Sequence, residues 1–247
     1  MKKRADALLV EQGLAETTAK AQALIMAGVV LAGTRRIDKA GEMLKPETVL
    51  SVKGKDFPWV SRGGLKLVKG LDESGFDPTG MICLDVGCST GGFTDVLLTR
   101  GAAKVYAVDV GYGQLAQKLR TDERVVVLER TNARYLTSDQ ISEPIDLIVC
   151  DASFIQLEKV LPVPLSFAKK SGAHLIALIK PQFEVEKYQV GENGVVRDPE
   201  LHLGVCEHVR EWLDGLSGWM VRGICQSPIK GPEGNIEFLV MADYAAE

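Results

Sequence analysis

Short apolar runs alternate with amphipathic stretches along most of the chain. Each run is four to seven residues long and is bounded by glycine, proline or charged residues, which is typical of buried β-strands. The predicted strands cover residues 82–86, 104–108, 125–128, 145–150, 173–179, 221–225 and 236–241. Amphipathic segments predict helices that end near Ser74, cover residues 93–100, begin at Gly111 and follow Asp198. Strands that alternate with helices predict an α/β fold built on a parallel sheet.

The beginning of the chain shows a different pattern, with short helices and little apolar strand. The predicted elements are helices over residues 6–11 and 17–28 and strands over residues 29–32 and 49–52. We therefore place a small α+β module at residues 1–54, a linker at 55–60 and the α/β domain at 61–247. In the linker, Phe57 and Trp59 are expected to pack between the two modules, since large apolar side chains are costly to leave in water.

A glycine-rich turn follows the first strand of the α/β domain. Residues 87–92 read GCSTGG, and the next strand ends in Asp109. Glycines allow a sharp turn and a close approach to a ligand, and an acid at the tip of the second strand can accept hydrogen bonds from ribose hydroxyls. The dinucleotide and phosphate-loop fingerprints are both missing. The turn therefore suits S-adenosylmethionine, with another nucleotide-binding sheet and a purely structural turn as alternatives.

Ionisable residues are expected at the carboxyl edge of the sheet, where ligands bind in this type of fold. Asp151 and Lys180 each follow a predicted strand, and Lys66 lies in the first turn of the helix that leads into the domain. A cation there is not favoured by the helix dipole. Lys180 is the most informative of the three, because an ammonium at the end of an apolar strand is costly to bury unless carboxylates pair with it.

These residues and several longer motifs resemble known families. With Glu237, which a final antiparallel strand would return to the same edge, Lys66, Asp151 and Lys180 resemble the K-D-K-E tetrad of FtsJ-like ribose 2'-O-methyltransferases. The first module resembles the S4 RNA-binding domain through Arg4-Ala5-Asp6-x-x-Leu9, Gly13-Leu14, Ala19 to Ala23 and Ala27-Gly28-Val29-Val30. Together with SRGGLKL, DVGCSTGGFT, DASF, KPQFE, GVVRDP and GPEGNIEFL, these features make the whole chain resemble the TlyA family.

The resemblance implies a fold, a cofactor and a substrate. The fold is a Rossmann-like class I methyltransferase sheet of seven strands, the last antiparallel, after a small S4-like domain. TlyA proteins are rRNA (cytidine-2'-O)-methyltransferases and are often named hemolysins. The implied cofactor is S-adenosyl-L-methionine, and the implied partner is rRNA within ribosomal subunits.

The resemblance also implies roles for individual residues. Lys180 would orient or deprotonate the ribose 2'-hydroxyl, while Asp151 and Glu237 would hold Lys180 and Lys66 in place. The candidate cofactor-binding residues are Gly87, Cys88, Ser89, Gly91, Gly92, Phe93, Asp109, Val110, Asn132 and Asp151. The candidate RNA contacts are Lys2, Lys3, Arg4, Lys20, Arg35, Arg36 and Arg62.

Charge is unevenly distributed along the chain. The net charge is −4, but residues 1–54 carry nine basic and six acidic side chains, a balance of +3 that leaves −7 for the remainder. A basic first module is consistent with phosphate contacts. A solvated basic face on an ordinary small domain would carry the same charge and is the alternative explanation.

Composition narrows the remaining possibilities. No apolar run reaches the roughly 18–20 residues of a membrane helix, and no secretion signal follows the basic N-terminus. We therefore expect a cytoplasmic protein that does not bind a membrane. We expect a monomer. Five cysteines without a C-x-x-C pair predict reduced thiols, and no metal site is predicted. The alternatives to a methyltransferase are a cytolysin or hemolysin and an RNA-binding S4 protein whose methyltransferase half is inactive.

Overall fold

A computed structural model describes residues 2–15, 17–26, 28–52 and 57–245, with only the backbone of Pro232. The chain divides into two compact units, Met1–Pro58 and Trp59–Glu247. Residues 53–56 lie outside the described residues, and with them the predicted boundary between the first module and the linker. Trp59 belongs to the second unit, where it packs against Gly64.

The first unit packs two helices against short strands. Its elements are β1 (Lys3–Arg4), α1 (Ala5–Glu11), α2 (Thr18–Met26), β2 (Val30–Ala32), β3 (Arg35–Arg36), β4 (Met43–Leu44) and β5 (Leu50–Val52). The strands β3, β2 and β5 form an antiparallel sheet in that order, and β1 pairs with β4. Leu8, Leu9 and Ile25 from the helices are buried with Val30 and Ile37, so one small apolar core holds the unit together.

The second unit is an α/β domain. Its strands are β6 (Ile82–Val86), β7 (Lys104–Val108), β8 (Val125–Leu128), β9 (Leu147–Cys150), β10 (Ala173–Ile179), β11 (Trp219–Gln226) and β12 (Phe238–Tyr244). Its α-helices are α3 (Gly64–Ser74), α4 (Gly92–Thr99), α5 (Gln117–Arg120), α6 (Leu157–Val160), α7 (Pro162–Leu165), α8 (Pro181–Glu184) and α9 (Pro199–Asp214).

The described strands of this unit form one seven-stranded sheet in the order β11-β12-β10-β9-β6-β7-β8. Strands β8, β7, β6, β9 and β10 are parallel, and β12 runs antiparallel to both of its neighbours. The predicted fold class is therefore confirmed. Strand order reverses between β6 and β9, which is the position where open α/β sheets bind ligands.

Alternate residues of the central strands face two separate apolar cores. Leu84 and Val86 of β6 pack on the side of α6, α7 and α9, whereas Cys83 packs on the side of α3, α4 and α5. Burial on both faces explains why these strands are continuously apolar in sequence. None of the described helices has both the length and the hydrophobicity to cross a membrane. All five cysteines are unpaired thiols.

The main departure from the predicted elements lies after β7. The helix predicted from Gly111 begins only at Gln117. The backbone N–H of Gly111 donates to Asp109 Oδ1 and that of Gly113 donates to Glu129 Oε1, so side chains bind groups that a helix would leave free. The segment consequently forms a wall beside the carboxyl edge of the sheet.

Candidate active site

The glycine-rich turn is shaped by close packing within the protein. Gly87 and Gly91 have positive φ angles of 81° and 96°. A Cβ on Gly87 would lie 3.0 Å from the backbone of Ala152, and one on Gly91 would lie 2.2 Å from Leu119 Cδ1. These glycines are therefore required by neighbouring protein atoms as well as by backbone conformation.

Asp109 is fixed by two backbone donors. Its Oδ2 accepts the N–H of Ser89 at 2.8 Å, and its Oδ1 accepts the N–H of Gly111 at 2.7 Å. The first bond joins the tip of β7 to the glycine-rich turn, where Ser89 has a φ of 48°. Each carboxylate oxygen can accept a further hydrogen bond, so the group is pre-oriented and can still bind a hydroxyl.

A cavity of about 420 Å³ opens between the ends of β6, β7 and β9. Its volume falls within the range of about 300–1,000 Å³ that is typical of small-molecule sites. Six of the ten candidate cofactor-binding residues line this first cavity: Gly87, Ser89, Asp109, Val110, Asn132 and Asp151. Its walls also include Gln114, Phe154 and Ile155, which were not among the predicted cofactor-binding residues.

The other four candidate cofactor-binding residues lie elsewhere. Cys88, Gly92 and Phe93 line a second cavity of about 240 Å³ beside the first. Gly91 packs against Leu119 and lines neither cavity. The motif had grouped these residues with their neighbours because they are adjacent in sequence, but successive residues of a tight turn point in different directions.

Lys66 and Glu237 form a buried ion pair although they are 171 positions apart. Lys66 Nζ donates to Glu237 Oε2 at 2.6 Å. The exposed fraction is 7% for Lys66 and 0% for Glu237. Burial of either charge alone would be strongly unfavourable, so each residue requires the other.

Lys180 and Asp151 form a second ion pair beside the first. Lys180 Nζ lies 2.5 Å from Asp151 Oδ1 and also donates to Ser153 Oγ at 2.9 Å. Lys66 Nζ lies 3.7 Å from Asp151 Oδ2, so one carboxylate connects both lysines. The structure thus brings all four residues of the K-D-K-E set together, and their formal charges cancel.

The second cavity opens directly onto these ion pairs. Its lining includes Lys66, Asp151 and Lys180, together with Ser61 and Arg62 from the segment before α3. The two cavities share Gly87, Ser89, Asp151 and Ser153. Two ligands, one in each cavity, could therefore contact each other, and their contact would lie next to Lys66 and Lys180.

Two further residues support this arrangement without having been predicted. Ser153 contacts Lys180, and Gly231 packs against the carboxylate of Glu237, where a Cβ would lie 2.1 Å from Oε1. That Oε1 is buried and has no hydrogen-bond partner among the described residues. Both residues lie inside motifs of the sequence, but the sequence did not indicate which residues they contact.

Asp85 is a buried acid below the glycine-rich turn. It is fully buried in β6, and its Oδ2 accepts a 2.6 Å hydrogen bond from Thr94 Oγ1 at the start of α4. Burial raises the pKa of Asp85 to about 7, against the lowering effect of the Thr94 hydrogen bond. A pKa in this range makes Asp85 a titrating group near neutral pH.

Most of the predicted RNA contacts of the first unit are paired with acids. Lys3 pairs with Glu11, Arg4 with Asp6, Arg35 with Glu42 and Arg36 with Asp38. Lys2 and Lys20 are exposed and have no ion pair among the described residues. A hydrogen bond from Arg4 lowers the pKa of Asp6 to about 2, so Arg4 also stabilises the unit itself.

The sheet topology and the two cavities at its carboxyl edge are those of an α/β methyltransferase. Comparison with known proteins places the chain in the same class. The model of the FtsJ-like methyltransferase family matches residues 59–244, and the S4 domain model matches residues 3–50. The chain belongs to the TlyA family of FtsJ-like methyltransferases with an S4 domain.

Individual relatives extend over nearly the whole chain. The 16S/23S rRNA (cytidine-2'-O)-methyltransferase TlyA of Mycobacterium tuberculosis is 48% identical over 96% of this chain and 88% of its own length. Hemolysin A of Brachyspira hyodysenteriae is 38% identical over 96% of this chain and 98% of its own length. A solved structure from Streptococcus thermophilus that carries the name hemolysin is 44% identical, with a TM-score of 0.75 over 99% of this chain and 89% of that chain.

Proposed function

We propose that this chain is an S-adenosylmethionine-dependent rRNA (cytidine-2'-O)-methyltransferase. The observation that carries the proposal is the meeting of two lysine–carboxylate pairs, one buried and one partly exposed, at the junction of two cavities. The names of the relatives in Mycobacterium tuberculosis and Campylobacter jejuni support the same reaction and substrate. The proposed enzyme is a cytoplasmic monomer that acts on rRNA within ribosomal subunits.

The first cavity fits S-adenosylmethionine. Asp109 presents a fixed carboxylate suited to ribose hydroxyls, and Asn132 lies on the same wall, where it would contact the adenine. Val110 and Ile155 provide apolar surface for the adenine ring. When bound, the cofactor supplies a methyl group on a good leaving group, so the protein has only to align the acceptor and remove its proton.

Lys180 is proposed to orient the ribose 2'-hydroxyl and to accept its proton, after the Lys180 ammonium has released one of its own protons to solvent. Its Nζ already has neighbours on the cavity side in Ser153 Oγ and the backbone oxygen of Asp151, at 2.9 and 3.2 Å. A substrate hydroxyl that takes the place of Ser153 would hydrogen-bond to Nζ and be oriented by it. The Lys66–Glu237 pair holds Asp151 from the other side, which keeps Lys180 in position.

Substitution of Lys180 tests this proposal. Lys180→Ala should lower the rate of ribose methylation by about 10²–10⁴-fold, the range for loss of a general base. The affinity for S-adenosylmethionine should change little, because Lys180 lines only the second cavity. Ribose methylation would be mapped on rRNA incubated with the purified full chain, and cofactor binding would be measured by calorimetry.

Lys170→Ala is the matched control. Lys170 is exposed and precedes the amino end of β10, whereas Lys180 follows its carboxyl end. The control should retain full activity. A Lys180→Ala variant with normal turnover would disprove the assigned role, and a wild-type chain that methylates neither subunit's RNA would disprove the proposed function.

A further inference from the structure

A groove between two loops of the second unit lies outside both cavities. It has a volume of about 320 Å³ and is formed by the loop before α9 and the loop that leads into β12. Arg197, Lys230 and Glu233 are its charged lining residues. We propose that this groove binds a backbone phosphate of the RNA strand beside the target nucleotide, an inference that rests on the proposed function.

The buried side chain of Asn235 holds the two loops together. Asn235 Nδ2 donates to the backbone oxygen of Gly194 at 2.9 Å, and Asn235 Oδ1 accepts the N–H of Val196 at 3.1 Å. The backbone oxygen of Asn235 also accepts the N–H of Gly231 at 2.9 Å. The groove is therefore preformed, so binding there would not have to order the loops first.

The two cations of the groove are available for an anion. Arg197 and Lys230 are both exposed, and neither forms an ion pair within the described part of the chain. They contrast with Arg35 and Arg36 of the first unit, which are paired with acids. The lining of this groove is net positive, although the chain after residue 54 has a net charge of −7.

Glu233 gives the groove a feature that favours RNA over other polyanions. With its carboxylate, the three charged groups of the lining sum to +1. Glu233 is exposed and has a φ of 56°, so the loop backbone holds this residue in a strained conformation. A carboxylate beside a bound phosphate can accept a hydrogen bond from a ribose 2'-hydroxyl, the group that distinguishes RNA from DNA.

Contacts through Gly231 and Glu237 link the groove to the second cavity. Lys230 immediately precedes Gly231, whose backbone packs against the carboxylate of Glu237. Glu237 in turn pairs with Lys66 at the second cavity. In the proposed complex, an RNA strand whose ribose lies in the second cavity places a neighbouring phosphate at the groove, and this contact positions the strand without reading its sequence.

The proposal is tested by the salt dependence of binding to deproteinised rRNA. For the full chain with Arg197→Gln and Lys230→Gln, the slope of log K against log salt concentration should become shallower by about 1 per lost phosphate contact. Affinity for this RNA should fall about tenfold at low salt. Affinity for S-adenosylmethionine should be retained, which also shows that the double variant is folded.

Matched variants separate charge from structure. Arg197→Lys keeps the charge and should keep the wild-type slope, and Lys170→Gln removes an exposed lysine at the opposite edge of the sheet and should also leave the slope unchanged. If the double variant fails to fold, Lys230→Gln alone should still make the slope shallower, by less than about 1 because Arg197 keeps its contact with the phosphate. Glu233→Gln should weaken the preference for RNA over DNA of the same sequence.

The outcomes distinguish this proposal from the proposed function. An unchanged slope in the charge-removing variants would disprove phosphate binding at the groove, even if the wild-type chain methylates rRNA. A loss of binding seen only with intact ribosomal subunits would also overturn it, because the groove would then contact a ribosomal protein. A reduced slope in the variants would support phosphate binding at the groove. If the wild-type chain then transfers no methyl group, the proposed enzymatic function is refuted while the groove proposal stands.

Discussion

At the scale of single residues, the second unit keeps several ionisable groups away from water. Lys66, Glu237 and Lys180 are neutralised by ion pairs, whereas Asp85 has no ion pair among the described residues and accepts a hydrogen bond from the hydroxyl of Thr94. Its Oδ1 is buried without a partner among the described residues. An unpaired buried carboxyl is more stable when protonated, which is the physical cause of its raised pKa.

This difference predicts how stability depends on pH. Between the ordinary pKa of an aspartate and about 7, folded Asp85 keeps a proton that the unfolded chain has released. The free energy of unfolding should therefore fall as pH rises through this window and level off above it. Asp85→Asn, which keeps the acceptor for Thr94, should remove the fall and be more stable than wild type above pH 7 by about 2–4 kcal/mol.

Denaturant titrations of both proteins at several pH values measure this difference. Thr94→Val provides a second check, since loss of a hydrogen bond that lowers the pKa should move the window to higher pH. Parallel pH profiles for wild type and Asp85→Asn would show that Asp85 does not titrate in this range.

At the scale of secondary structure elements, the loops after β9 and β10 are bound to each other. Glu184, in the last turn of α8, accepts the N–H of Leu157 at 2.9 Å and so caps the four-residue helix α6. Its backbone oxygen accepts a hydrogen bond from the side chain of Gln156 at 3.1 Å. These bonds connect the loop of Asp151 to the loop of Lys180. Glu184 is thus a positioning residue for both.

Removal of this connection should affect turnover more than cofactor binding. Glu184→Ala leaves the N–H of Leu157 without its acceptor, at a cost of about 1 kcal/mol, and should lower the methylation rate about tenfold through misplacement of Lys180. Glu184→Gln keeps an acceptor and should restore most of the rate. Burial raises the pKa of Glu184 to about 7, so the neutral glutamine also resembles its protonated form.

Steady-state kinetics with rRNA, run beside calorimetry with S-adenosylmethionine, separate the two effects. Equal rates for Glu184→Ala and Glu184→Gln would show that the hydrogen bond to α6 has no part in catalysis.

Secondary structure was largely predictable because it depends on near neighbours. Strands β6, β7, β8 and β10 have the predicted bounds, since their apolar runs are bounded by breaking residues. The segment after Asp109 was not predictable, because Glu129, sixteen positions away from Gly113, captures a backbone donor there. Long-range side-chain acceptors of this kind leave no periodic signal in sequence.

At the scale of the whole molecule, charge and ligand sites are divided between two units. The first cavity is lined only by residues of the second unit, Trp59–Glu247. The first unit carries most of the predicted RNA contacts but has a small apolar core. Binding of the cofactor should therefore stabilise the second unit directly.

Thermal unfolding of the full chain tests this expectation. S-adenosylmethionine at about 100 times its Kd should add about 2.7 kcal/mol to the stability of the second unit, which corresponds to a rise in Tm of about 5–10 °C for a unit of this size. Asp109→Ala should abolish most of the rise, because Asp109 is the proposed ribose ligand. Calorimetric scans with and without ligand measure it. No shift at saturating ligand would contradict the assigned cofactor.

The sequence by itself determined the strands, the glycine-rich turn and the acids and lysines that follow strand ends, because these depend on local periodicity and on backbone sterics. Tertiary structure alone decided which of them meet. Lys66 reaches Glu237 because β12 runs antiparallel beside β10 and returns its start to the edge where α3 begins. Tertiary structure also decided that Gly91 packs against Leu119 and that Arg4 forms an ion pair with Asp6. It likewise placed Arg197 and Lys230 in the lining of one groove. Desolvation and pairing depend on neighbours in space, which a linear pattern does not contain.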